Sequence, residues 1–145
     1  MKENLILVFG AGGNIGSKIA QALVGAEANI AVVGRSLSRL QQFEGKATIL
    51  EGDFEDDSFL QAAFAKASRV FLTIPNESLL DPVATAARLG KLLAGSSVSH
   101  IVNISNCILK KAGAPTRLVA MEQELNKLPD VHIKHLRCAN FFENL

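Results

Sequence analysis

The residues Gly10-Ala11-Gly12-Gly13-Asn14-Ile15-Gly16 stand directly after an apolar run, 5–9, and directly before a stretch with helical spacing. Glycines at such a junction permit a tight turn, bring backbone amides close to a diphosphate, and let the helix pack against the strand. The first turn of the helix adds unpaired N–H groups and a partial positive charge. A glycine-rich run alone is common, and relief of a crowded turn explains many. A strand before it and a helix after it supply the context that dinucleotide binding needs. Gly10, Gly12, Gly13, Asn14, Ile15 and Gly16 are therefore the leading candidates to hold a nucleotide cofactor.

The second apolar run closes with Val32-Val33-Gly34-Arg35-Ser36. Where NAD is bound, an acidic residue at the end of this strand takes the ribose 2′-hydroxyl. Here glycine and then arginine occupy that place, with nothing acidic near it. Arg35 can pair bidentately with a 2′-phosphate and stack on adenine. NADP(H) is thus expected over NAD(H), with Arg35 and Ser36 at the phosphate; a solvated arginine at a strand end is the plainer alternative. In Gly52-Asp53-Phe54, Asp53 can accept from the adenine amino group and Phe54 can wall the base, or Asp53 can simply join Asp56 and Asp57 in starting a helix. Thr73, Ile74 and Pro75, with Asn76, close a strand expected beside the first, where strand order reverses and ligands lie at carboxyl ends. That segment is expected to run along the cofactor.

Ser105 ends the fifth strand and suits a substrate carbonyl, a nicotinamide ribose or merely a turn. Cys107 has no neighbour that would lower its pKa and reads as an inert thiol. Lys110 and Lys111 read as loop charges. His132 and His135 lie three apart on a strand, hence on opposite faces, and cannot pair as ligands. With three histidines in all, no metal site is expected. The chain holds no tyrosine, which excludes any mechanism with a phenol as general acid. No residue stands out as catalytic.

These candidates must be positioned by something, and the pattern says what. Apolar runs at 5–9, 30–33, 47–50, 70–74 and 100–104 read as strands, the first, second and fourth almost continuously apolar, as strands buried on both faces are. A sixth run, 131–136, alternates and belongs nearer an edge. Between them lie helical segments. Residues 13–24 set Ile15, Ile19, Ala22 and Leu23 on one face. Asp56 or Asp57 caps a helix carrying Phe59, Leu60, Ala63 and Phe64, and Asp81-Pro82 opens another to about residue 94. Residues 116–128 form the last, and 110–115 reads as the flexible loop. Such alternation implies right-handed crossovers and a doubly wound parallel α/β sheet.

A chain of 145 residues with 48% hydrophobic and 20% charged residues suits one soluble domain, 1–145. A net charge of +1 offers no case for a nucleic acid or a membrane surface as partner. Two cysteines fit a reducing compartment. No signal-like cleavage site follows the start, so a mature, cytoplasmic chain is expected.

Taken together, Gly10-x-x-Gly13-x-x-Gly16, Gly34-Arg35-Ser36, Gly52-Asp53-Phe54-x-Asp56, Ile104-Ser105 and residues 136–144, Leu-Arg-Cys-Ala-Asn-Phe-Phe-Glu-Asn, resemble the NmrA-like branch of the atypical short-chain dehydrogenases. The resemblance runs the length of the chain in order. It implies a Rossmann fold and NADP(H) held by the glycine loop and the Arg35 position. The branch includes NAD(P)H-dependent quinone and carbonyl reductases and also proteins that bind the dinucleotide without turnover. Two departures stand out: Cys138 replaces the signature's usual proline, and members commonly run to about twice this length, so the substrate-binding half is expected to be lacking. The sixth strand would then be an exposed edge, inviting self-association. The expected function is an NADPH-dependent oxidoreductase acting on a quinone or carbonyl, without the Tyr-x-x-x-Lys pair. The alternative is a non-catalytic NADP(H)-sensing module that binds a protein partner.

Overall fold

The computed structural model describes residues 4–106 and 110–138. Aliphatic and aromatic side chains fill Ile6–Phe9 (β1) and Ile30–Gly34 (β2) without polar interruption, and both strands are almost wholly buried. Thr48–Glu51 (β3), Arg69–Leu72 (β4), His100–Asn106 (β5) and His132–Cys138 (β8) complete a six-stranded sheet in the order β3-β2-β1-β4-β5-β8. Every pairing in it is parallel. Strand order reverses between β1 and β4, as expected, and β8 takes an edge, its residues alternating between exposed and half-buried over most of its length.

Alternate strand residues serve two cores. Leu7, Phe9, Ala31, Val33, Val70, Leu72 and Ile101 pack against Asp57–Lys66 (α3), Pro82–Leu93 (α4) and Arg117–Leu125 (α5). Val8, Ile30, Val32 and Phe71 pack against Asn14–Gly25 (α1) and Leu37–Leu40 (α2). Asp56 caps α3 by accepting from the Phe59 N–H at 3.2 Å, and Asp81 caps α4 by accepting from Ala84 at 3.1 Å, with Pro82 at the first position. On the α1 side, β5 and β8 carry no helix among the described residues, and α1 reaches only Phe71 of β4. An apolar trough of about 490 Å³ remains there, with Ile19, Phe71, Val102 and Leu136 in its lining.

Two local expectations need correction, and one feature was not expected. Residues 110–115 are not a loose loop: Lys110–Lys111 (β6) pairs antiparallel with Ala114–Pro115 (β7). The turn between them places Ala112 and Gly113 at φ 53° and 80°, the left-handed pair that matches strand twist. Ala22 faces solvent, two positions beyond the buried Ala20, and the seam of α1 runs through Gly16 and Ala20 instead. The α2 turn and the 3-10 turn Gln41–Phe43 after it, which bury Leu40 and Phe43, had no counterpart in the sequence reading because four-residue elements show no period.

Charge ties the edge strand to α5. Arg137 on β8 donates to Glu122 on α5 through two nitrogens, at 3.1 and 2.8 Å, and Ser105 on β5 donates to the same carboxylate. Glu122 is 3% exposed. The Arg137 hydrogen bonds hold its carboxyl below the ordinary 4.5, against the opposing effect of burial. Alongside, the Asn103 amide donates to His135 Nδ1 and His135 Nε2–H donates to Asn126, which specifies a neutral ring. Burial holds that imidazole below its ordinary 6.5, although Glu122 pulls the other way.

Both groups bind fewer protons folded than unfolded, so both make stability rise with pH. The histidine contribution is complete above 6.5 and is lost as pH falls below it. The Glu122 contribution is present above 4.5 and is lost below it. Urea unfolding across that range is expected to show the upper part of the decline flattened by His135→Gln and the lower part by Glu122→Gln. A pH profile that neither substitution alters would refute the linkage.

Candidate functional site

The turn between β1 and α1 is built from backbone. Gly10 sits at φ +69°, a conformation that side chains disfavour, and its carbonyl accepts from the Gly13 N–H at 2.9 Å. Gly16, in the first turn of α1, lies beneath that carbonyl, and a Cβ there would stand 2.1 Å from the Gly10 oxygen. Gly13 caps α1 with no side-chain hydrogen bond, and no acidic residue occupies the first turn. The opening N–H groups therefore face outward with the positive end of the helix dipole unopposed, which suits a diphosphate.

Beside this turn lies a cavity of about 410 Å³ lined by Gly10, Gly12, Gly13, Gly34, Arg35, Ser36, Arg39 and Leu40. Five of the sequence candidates meet there: Gly10, Gly12 and Gly13 of the glycine turn, and Arg35 with Ser36 after β2. Asn14 and Ile15 begin the adjoining helix, Asn14 exposed and Ile15 packed on the smaller core. The Thr73 side chain crowds the Gly10 Cα from the end of β4. Ile74 is buried, and the Pro75 carbonyl turns the chain by accepting from Ser78 and Leu79. Asp53 is exposed and accepts from the Glu55 N–H at 3.0 Å. Phe54 lies in the core, edge-on to Phe9 at 6.1 Å and beneath the Arg88 guanidinium at 5.4 Å. Ser105 is 2% exposed, its hydroxyl donated to Glu122.

Two features escape a reading of the sequence. Arg39, four residues after Arg35 on α2, backs Gly12 and lines the same cavity. Acidic groups also stand closer than expected. Glu51 pairs in register with Gly34, and its carboxylate accepts from the Leu37 N–H at 3.2 Å, while Glu77, just past β4, meets Arg35 at 3.4 Å. Both are long-range neighbours, one through strand pairing and one across the switch in strand order. Among the described residues no cluster of His, Cys, Asp and Glu could hold a metal ion, and no helix is long and apolar enough to cross a membrane.

Residues 10–135 match a protein family described as NAD(P)H-binding. No curated protein matches the sequence. Among solved structures, the chain is similar to the Citrobacter sp. triphenylmethane reductase complexed with NADP(H), with a TM-score of 0.77 at 20% identity over 97% of this chain and 50% of that one. It is similar to ChuY, an anaerobillin reductase from Escherichia coli O157:H7, with a TM-score of 0.74 at 16% identity over 92% of this chain and 72% of that one. Vestitone reductase from alfalfa gives 0.73 at 16% identity, over 93% of this chain and 56% of that one. At such identities the likeness establishes the fold, a Rossmann-type α/β sheet, and the chain spans about half the length of two of these proteins.

The glycine turn yields a contrast. Gly16→Ala forces a methyl onto a backbone oxygen that cannot yield, whereas a Cβ at Gly13 meets that oxygen at an ordinary 3.4 Å. Gly16→Ala is expected to lower the unfolding free energy by roughly 2–3 kcal/mol and Gly13→Ala by about 1 kcal/mol or less. Equal losses in urea denaturation would remove the close approach as the reason for glycine at 16.

Proposed function

The chain belongs to the NAD(P)H-binding family, and from that premise we propose that it binds NADP(H) as an NmrA-like protein and uses NADPH to reduce a quinone or carbonyl substrate. One observation carries the reading. Two arginines, Arg35 and Arg39, face the same cavity as the glycine turn. A diphosphate on the turn places the adenosine ribose toward the end of β2, where two cations suit a 2′-phosphate better than an uncharged hydroxyl. Glu51, the nearest acid by register, already accepts from Leu37.

On this reading Gly10, Gly12, Gly13, Asn14, Ile15 and Gly16 cradle the diphosphate, and Arg35, Ser36 and Arg39 take the 2′-phosphate. Asp53 and Phe54 flank the adenine, while Thr73, Ile74 and Pro75 run along the middle of the cofactor. Ser105 buttresses the far end from within the sheet. When bound, the reduced cofactor supplies a hydride to the acceptor and is left oxidised, with solvent supplying the proton. The protein's own task is alignment and exclusion of side reactions. A reducing compartment such as the cytoplasm suits its two cysteines. A second reading, a cofactor-responsive module that binds a protein partner, is favoured by the absence of tyrosine and by the apolar trough over β4, β5 and β8. It requires a partner that binds differently to the oxidised and reduced forms.

With no tryptophan or tyrosine in the chain, the fluorescence of added NADPH or NADH can be followed directly. NADPH is expected to bind more tightly than NADH. Arg35→Asp should weaken NADPH by about tenfold or more and NADH by less than about threefold. Glu77→Gln, which releases Arg35 from its exposed partner, should strengthen NADPH by at most a few-fold. Equal losses of both coenzymes in Arg35→Asp would take Arg35 out of the phosphate site.

A further inference from the structure

A second cavity, of about 620 Å³, opens on the other side of the switch in strand order, and nothing in the cofactor reading uses it. Asn76 reaches it from the segment after β4, Lys111 and Pro115 from the β6–β7 hairpin after β5, and Arg117 and Leu118 from the start of α5. Its walls therefore come from segments that follow the carboxyl ends of β4 and β5, on the side of β1 opposite β2 and the Arg35 cavity. That is where the reactive end of a dinucleotide laid across the glycine turn would point.

The lining has two characters. Leu79, which is buried, Leu118 and Pro115 give an apolar surface. Lys111 and Arg117 are cationic and exposed, and among the described residues no acidic side chain lines the cavity. Arg35 meets Glu77, Arg88 meets Asp57 and Arg137 meets Glu122, whereas Lys111 and Arg117, like Arg39 and Arg69, have no ion-pair partner among the described residues. Two like charges in the lining of one hollow, with no described carboxylate beside them in it, create a local positive potential that an anion relieves. Asn76 adds an amide that can both donate and accept.

We infer that this cavity binds the hydride acceptor and selects one with an apolar, ring-like body and an anionic group, a carboxylate or sulfonate, held by Lys111 and Arg117. The inference rests on the proposed reductase reading for its substrate, and on the cavity alone for its preference among ligands. Arg117 supplies a planar fork for two oxygens and Lys111 a point charge on a mobile stem. The leucine and proline surface takes the rings. A neutral analogue of the same shape keeps the apolar contact and loses the charge pairing.

Two non-reducible probes of equal size test this without turnover: 2-naphthoate and 2-naphthamide, titrated by calorimetry into the full chain, with and without NADP⁺. Naphthoate is expected to bind about tenfold more tightly, the gain that two exposed charge pairs can supply. The ratio should shrink toward one as NaCl is raised from about 20 mM to about 500 mM in the unaltered protein, because exposed pairs are screened. It should also fall to one or below in the double variant Lys111→Glu, Arg117→Glu, and persist in Lys111→Arg. Equal affinities in the unaltered chain, or a ratio indifferent to salt and to the double variant, would overturn the inference. If NADPH binds while the two probes bind equally, the substrate preference falls alone. If naphthoate is preferred while neither coenzyme binds, the cofactor reading falls and the anion preference stands.

Discussion

Gly16 lies where any Cβ would come within 2.1 Å of the Gly10 carbonyl oxygen, and that one approach decides how α1 leaves β1. The helix can start immediately after a four-residue turn only because its first turn carries no side chain toward the strand. Once it does so, its dipole and its free N–H groups point at the carboxyl end of β1, the central strand on which order reverses. β2 and β3 then extend to one side and β4, β5 and β8 to the other, and a cleft opens above β1 between the two sets. A larger residue at 16 would push the helix from the sheet and turn the amides away. Position 16 therefore couples the fold to the site.

The parts of this arrangement that were legible in the sequence are those governed by local rules. Continuous apolar runs identify β1, β2 and β4, because strands buried on both faces need no polar alternation. Asp56 and the Asp81-Pro82 pair mark helix starts, since a cap acts within three residues of itself. The alternating run holding His132, Lys134 and His135 places β8 at an edge. The illegible parts depend on partners distant in the chain or on elements too short for a period. Arg39 belongs to the cavity because α2 folds one four-residue element against Gly12. The β6–β7 hairpin turns on Ala112-Gly113, which lacks the Asn-Gly or Asp-Gly signature of such turns. Ser105 looks free in sequence; only packing of α5 on β5 brings Glu122 to its hydroxyl.

Charge is distributed to match. Around the cleft the cations lie in two groups, Arg35 and Arg39 beyond β2, Lys111 and Arg117 beyond β5, with a net charge of only +1 over the whole chain. The acids that balance them are committed elsewhere. Glu122 is held by Arg137, Asp57 by Arg88, and Asp56 and Asp81 by helix termini. Glu51 beside β2 is taken up by the Leu37 N–H, and Glu77 meets Arg35 at 3.4 Å between two exposed side chains, a contact worth at most about 1 kcal/mol. An anion entering either cavity thus displaces little.

The buried Ser105–Glu122–Arg137 group also bears on which acceptor the proposed chemistry suits. Ser105 gives its only proton to a carboxylate that Arg137 keeps ionised, so the hydroxyl has nothing left to donate to a reacting oxygen. With no tyrosine in the chain, no phenol is available at the carboxyl ends of β4 and β5 to protonate an alkoxide. Reduction of an ordinary ketone generates that strong base and demands such an acid. Reduction of a quinone generates a phenolate-like anion, whose charge is spread over a ring and which can wait for solvent. Within the proposed function, the quinone is therefore the acceptor this arrangement of side chains accommodates better.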